Sequence, residues 1–298
     1  MRIRERLNRF LFDVAVPAID QTPAISRGAA DFIALSMVQK RDVLPYLLAL
    51  KSFDRHMRPA RVVVVADPTL DDGCRDVMRR HVPHIEFRDA AEFRRDGIPR
   101  GGCWERLSAV SEYVAESYVV QLDADTVTLG PLADVSSAIA AGNSFTLGTE
   151  DDQTIVSCAE ISTWARARLE SDSHIQLLAE SLLDGIDGAE RLRYVRGCAG
   201  FAGYPKGSFT PETLVSLSRR MAAVMPENWD KWGTEQFTSN VLVASMPGAR
   251  VLPHPRYCAP HYRLDDSVFL HFIGYVRYAS TLYAQLARRV ARDLRAAA

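Results

Sequence analysis

Residues 61–67 read Arg-Val-Val-Val-Val-Ala-Asp, a run of β-branched side chains with no polar alternation. A strand with one wet face alternates apolar and polar residues, so an unbroken run marks a strand covered on both faces, as in a parallel sheet. The segments around it keep step. Phe32-Ile33-Ala34-Leu35-Ser36-Met37 reads as a first strand, and Leu44, Leu47, Leu48 and Leu50 give a helix from about Asp42. A helix over 71–81, a third strand at 85–87, a helix over 104–115 and a strand from Tyr118 continue the alternation. Strand alternating with helix through the first 125 residues predicts an α/β fold of Rossmann-like type, a mostly parallel central sheet flanked by helices.

Beyond Pro131 the pattern loosens. Ser144 to Gly148 is a further strand candidate, and a long helix is expected around Trp164 to Leu183. Gly197, Gly200, Gly203 and Gly207 then mark a segment of turns or of close backbone approach. With no repeat, low-complexity tract or clear linker, a single compact domain is expected.

The 298 residues carry a net charge of −1, which offers no global basic field for nucleic acid. Five scattered cysteines form no C-x-x-C pair and read as reduced core thiols, the pattern of a cytoplasmic protein. No apolar stretch approaches the ~20 residues of a membrane span. Both ends are basic and amphipathic. Residues 1–30 carry Arg2, Arg4, Arg6 and Arg9 among Ile3, Leu7, Phe10, Leu11 and Val14, and residues 279–298 carry Arg288, Arg289, Arg292 and Arg295 beside Leu282, Leu286, Val290 and Leu294. Asp13 and Pro17 argue against a signal peptide. Such helices either lie peripherally on an anionic membrane face or pack on their own domain.

The chemistry-bearing segment is Tyr118-Val119-Val120-Gln121-Leu122-Asp123-Ala124-Asp125. Alternation along a strand turns Asp123 and Asp125 to one side, with Ala124 between. Two close carboxylates repel, and a divalent cation with oxygen ligands relieves that repulsion. His271, ending the apolar Val268-Phe269-Leu270, can add an imidazole to the same ion or serve as a structural histidine. Gly274 permits close approach of a ligand. Arg106 and Arg277 read either as phosphate-binding guanidinium groups or as solvated arginines. In Thr234-Glu235-Gln236-Phe237-Thr238-Ser239-Asn240, an N-cap at Thr234 would put Gln236 and Asn240 on one helix face, as amides for a sugar or as ordinary polar residues.

The ordered set Arg106-Leu107, Asp123-Ala124-Asp125, Cys198-Ala199-Gly200, Glu235-Gln236 with Asn240, and His271-Phe272-Ile273-Gly274 resembles the nucleotide-sugar glycosyltransferases of the GT-A fold. Within that fold it is most similar to the family 8 group, which includes glycogenin and bacterial galactosyltransferases. The resemblance covers roughly residues 31–278. It implies a nucleotide-binding half over 31–130 and a sugar and acceptor half over 131–278. It also implies Mn²⁺ (or Mg²⁺) held by Asp123, Asp125 and His271. Donor contacts would come from Ser36, Met37, Arg106, Ala124, Gly200, Gly274 and Arg277, and sugar or acceptor contacts from Gln236 and Asn240. The implied partners are a nucleoside-diphosphate sugar, with UDP as the expected nucleotide, and a saccharide or lipid-linked acceptor. Cys198, Phe237 and Arg277 depart from the asparagine, second acid and lysine of the family pattern.

Glycosyl transfer places negative charge on the departing diphosphate, which a cation and basic side chains offset. The resemblance implies retention, with Gln236 near the reacting face; inversion would require a base, for which Asp151 and Glu235 are the candidates. Other classes fit parts of the pattern. Asp123-Ala124-Asp125-Thr126-Val127 also resembles the nucleophile motif of haloacid-dehalogenase-type phosphatases, with Asp123 attacking phosphorus and Asp265-Asp266 as the late acidic pair. That motif normally opens its domain, whereas here more than 100 residues precede it. A nucleotidyltransferase lacks its glycine-rich loop after Phe32 to Ser36. A non-catalytic carbohydrate-binding role is the third alternative.

Overall fold

The computed structural model describes residues 3–149, 153–274 and 276–297. It is a mixed α/β fold whose main sheet has seven strands in the order β10-β6-β9-β4-β1-β2-β3. Contacts divide the chain into two compact units that follow space rather than sequence. The first comprises residues 1–89, 122–133 and 253–298, the second 90–121 and 134–252. The functional halves expected over 31–130 and 131–278 each draw on both units.

The first unit opens with helix α1 (Ile3–Ala15), then β1 (Ala30–Val38), α2 (Val43–Met57), β2 (Pro59–Ala66), α3 (Asp72–His81) and β3 (Ile85–Asp89). β1 pairs with β2, and β2 with β3, all parallel. Val62 to Val65 of β2 are 0% exposed, as the unbroken run requires. Burial of each such side chain stabilises by about 1.5–3 kcal/mol. Asp71 caps α3 by accepting from the Cys74 backbone N–H at 2.9 Å.

In the second unit, helix α4 (Trp104–Tyr113) leads into β4 (Tyr118–Leu122), whose last residue Leu122 belongs to the first unit. β5 (Thr126–Thr128), in the first unit, precedes α5 (Ala133–Ala141), β6 (Phe145–Gly148), β7 (Val156–Ser157), α6 (Cys158–Arg166) and α7 (Ile175–Leu182). Then come β8 (Arg193–Tyr194), β9 (Gly197–Tyr204), α8 (Pro211–Val224), α9 (Thr234–Ala244) and β10 (Arg250–Val251). The chain closes in the first unit with β11 (Tyr257–Cys258), β12 (Phe269–His271) and α10 (Leu282–Ala296).

Two local expectations change. The helix expected around 164–183 breaks into α6 and α7, because side chains between them take over backbone donors. Ser173 Oγ accepts from the Glu170 N–H at 2.8 Å, and His174 Nδ1 accepts from the Gln176 N–H at 3.2 Å. The glycine-rich segment is mostly strand, and close approach is the part of the reading that holds. A Cβ on Gly203 would lie 2.2 Å from the Phe145 ring, and one on Gly197 2.4 Å from Thr146 Oγ1. β9 is buried along its whole length, antiparallel to β6.

The two basic helices meet different fates. Leu286, Val290 and Leu294 of α10 are buried, so that helix packs on its own unit. Helix α1 packs through Asn8, Phe12 and Ala15, with the Phe12 ring stacked 3.9 Å from Tyr283 of α10. Its Ile3, Leu7, Phe10 and Val14 are exposed.

Candidate metal and diphosphate site

Asp123 and Asp125 lie in the turn between β4 and β5 rather than on a strand. It is the turn, not strand alternation, that gathers their carboxylates. Thr126 Oγ1 donates to the Asp123 carbonyl at 2.9 Å and helps hold the turn. Across from it, β12 runs antiparallel to β5 with His271 paired to Thr126. The Phe272 N–H donates to the Asp125 carbonyl at 2.8 Å, extending that ladder past the strand end. Backbone register thus carries a histidine 146 residues away to the acidic turn.

His271 Nε2 stands 3.1 Å from Asp125 Oδ1 and 3.7 Å from Asp123 Oδ2. One ligand atom from each of the three side chains lies within 4.8 Å of the others, the only such cluster of metal-ligating groups among the described residues. Asp125 and His271 are buried and Asp123 is half-buried. Two carboxylate oxygens and one imidazole nitrogen make a donor set suited to Mn²⁺ or Mg²⁺, with the imidazole favouring Mn²⁺. The residues present therefore fit a divalent cation.

Arg277 pairs with the second oxygen of Asp125 and lies 3.9 Å from Asp42 Oδ1. Burial alone would raise the Asp125 carboxyl, but His271 and Arg277 outweigh it and bring its pKa down to about 2. Burial pushes Asp42 the other way, above the usual carboxylate range, against the pull of Arg277. Beside these groups opens a cavity of about 490 Å³, lined by Lys40, Arg41, Asp42, Gly274, Arg277 and Tyr278 among others. A Cβ built on Gly274 meets nothing within 4 Å, so the backbone there borders open space. Sequence reasoning missed Lys40, Arg41 and Asp42. Their signal was position: they follow the carboxyl end of β1, where open α/β sheets bind ligands.

Of the other expected donor residues, Ser36 is buried in β1 and donates from Oγ to the Leu122 carbonyl at 2.6 Å, bracing the chain just before Asp123. Met37 and Ala124 are half-buried.

The second unit holds the remaining candidates. Arg106 is not solvated: on α4 it is buried, with Nη2 donating to both carboxylate oxygens of Glu235 at 3.2 and 3.3 Å. Helix α9 starts one residue earlier than expected. Gly233, at φ 107°, is the N-cap, and Thr234 instead accepts from Trp104 Nε1 at 3.0 Å. Gln236 donates from Nε2 to Gln176 at 2.9 Å, and Asn240 donates from Nδ2 to the Gly197 carbonyl at 3.0 Å. Gln176 continues to Glu180, whose Oε1 also accepts from the Tyr194 hydroxyl at 2.8 Å and from Arg196 Nε at 3.1 Å. Gly200 is buried in β9. Asp151 lies outside the described residues, as do Glu150 and Asp152.

No family profile matches the chain, and no curated protein does. Among solved structures it is similar to the galactosyltransferase LgtC in complex with donor and acceptor sugar analogs, at 14% identity, 88% coverage of this chain, 95% of that one and a TM-score of 0.45. It is also similar to the glycosyltransferase GlyE of Streptococcus pneumoniae, at 11% identity, 89% and 64% coverage and a TM-score of 0.47. Core-mannan synthase A of Aspergillus fumigatus, in its Mn/GDP form, gives 10% identity, 92% and 87% coverage and a TM-score of 0.44.

Proposed function

We propose that this protein is a metal-dependent glycosyltransferase that takes a sugar from a nucleoside-diphosphate donor, with UDP as the nucleotide, and passes it to a saccharide or lipid-linked acceptor. The observation that carries the reading is the Asp123, Asp125 and His271 cluster beside a cavity whose wall includes Lys40, Arg41 and Arg277. Acidic and imidazole ligands next to cationic side chains match a ligand that brings a metal and a diphosphate together. When bound, Mn²⁺ held by the three side chains would offset charge on the departing diphosphate.

In this reading Lys40, Arg41 and Arg277 bind the phosphates, and Gly274 lets them approach the backbone. Ser36 fixes the turn ahead of Asp123 and, with Met37, borders the nucleotide. On the second unit, Gln236 and Asn240 are assigned to the sugar and acceptor and Gly200 to the donor, with Gln236 serving a retaining reaction. Arg106, in its pair with Glu235, orients α9 and thereby Gln236.

The phosphatase alternative is not favoured. Asp265 and Asp266 are exposed and are not members of the metal-ligating cluster, where that chemistry needs a late acidic pair.

Thermal unfolding with UDP, UDP-sugars and p-nitrophenyl phosphate, each with and without Mn²⁺, tests the reading. UDP should raise Tm only when Mn²⁺ is present. Release of phosphate from p-nitrophenyl phosphate, or a UDP shift indifferent to Mn²⁺, would overturn it.

A further inference from the structure

Among the described residues, the most exposed apolar surface contiguous along one element belongs to α1. Ile3, Leu7, Phe10 and Val14 are 87%, 56%, 62% and 57% exposed, and spacings of four, three and four residues put them on one helix face. On a helical projection Arg4 and Arg6 border that face on its two sides, and both are exposed. The opposite side of α1 packs through Asn8, Phe12 and Ala15. Phe12 stacks on Tyr283, Asn8 donates to the Tyr278 carbonyl at 2.9 Å, and Arg9, Phe12 and Asp13 line the cavity beside Arg277. The helix is therefore anchored through one face and presents the other outward as a preformed, ordered apolar stripe.

The contrast with α10 sharpens the point. That helix is also basic and amphipathic, yet its apolar side is taken up by packing, while Arg288, Arg289, Arg292 and Arg295 face solvent. An apolar face rimmed by guanidinium groups is complementary to the boundary between acyl chains and anionic headgroups. A docking protein would require acidic groups around an apolar groove. A bilayer offers both features along any direction of the helix.

We propose that α1 docks this protein on an anionic lipid bilayer, with Ile3, Leu7, Phe10 and Val14 inserted at the headgroup–acyl boundary and Arg4 and Arg6 on lipid phosphates. The helix lies in the plane of the surface, and the body of the first unit stands away from it. The cavity wall formed by the opposite face of α1 then lies about one helix diameter, ~10 Å, from the lipid. This inference does not depend on the glycosyltransferase reading.

Sedimentation with sucrose-loaded vesicles tests it, using phosphatidylcholine alone and phosphatidylcholine mixed with phosphatidylglycerol. The full chain should bind the mixed vesicles and hardly any of the neutral ones. The double variant Leu7→Gln, Phe10→Gln should lower partitioning at least about tenfold, because it removes inserted apolar area while leaving the packed face intact. The variant Arg4→Gln, Arg6→Gln should lower it by about fivefold per arginine on anionic vesicles, an effect that salt should mimic in the parent protein. Circular dichroism should be unchanged for both, since all four positions are exposed. Failure to bind mixed vesicles, or binding indifferent to Leu7→Gln, Phe10→Gln, would overturn the proposal. So would a soluble dimer, seen by light scattering, that the same variant dissociates, because the face would then belong to a second copy of this chain.

Discussion

In the second unit Arg106 and Glu235 form an ion pair with both side chains nearly inaccessible, and Gln236 is tied into a chain of hydrogen bonds that reaches Glu180. In the first unit the charged groups border a cavity instead. Asp123 and Asp125 gather around His271, Arg277 reaches both Asp125 and Asp42, Arg41 lies 3.8 Å from Asp42, and Arg41, Asp42 and Arg277 line the cavity. The two arrangements have different physical uses. A buried pair fixes two helices, and replacing either member leaves the other charge less well answered. Carboxylates and an imidazole converging beside a cavity can take up a metal together, and the arginine that answers Asp125 can then turn to a phosphate.

This difference can be broken experimentally, and the largest effect is expected in the second unit. Arg106→Ala removes a partner from a side-chain pair 5% and 4% exposed, so unfolding by urea should show a loss of about 3–5 kcal/mol. If stability is unchanged, the pair is not the buried structural contact described, and a direct donor role for Arg106 gains ground.

Asp125→Asn strikes the first unit. Transfer activity should fall by about 10²–10³-fold, the scale set by losing one electrostatic contact to a developing charge. Stabilisation by UDP with Mn²⁺ should vanish at the same time, as read by Tm. Retained metal-dependent UDP binding would remove Asp125 from the ligand set.

The smallest effect is the acid limb of stability. Asp125 has a folded pKa of about 2 against an ordinary 3.8, so its contribution is fully present above pH 3.8 and is lost as pH falls through 2. The parent protein without metal should lose on the order of 2 kcal/mol across that window, and Asp125→Asn should not lose that increment. Denaturant unfolding between pH 2 and about 5 reads the difference. Equal acid limbs would mean that His271 and Arg277 do not hold Asp125 ionised.

Much of this was legible in the chain. The Val62–Val65 run and its neighbours predicted the parallel strands because burial on both faces leaves a local signature in composition. The acidic turn and His271 were legible as residue types, and their convergence was expected. The means of convergence was not, since a turn and an antiparallel register bring them together where strand alternation had been expected. Arg106 shows why the rest was hidden. Its partner lies 129 residues away, and nothing near Arg106 in sequence distinguishes a buried pair from a solvated guanidinium. Lys40, Arg41 and Asp42 look like an ordinary helix start until the cavity beside them is seen.

The helices α1 and α10 mark the division most plainly. Sequence alone determined that each is amphipathic and basic, because periodicity of 3.6 is a property of neighbouring residues. Only the tertiary structure decided that α10 buries its apolar side while α1 turns its own outward. Burial depends on which surfaces arrive from distant parts of the chain, and no local pattern records that.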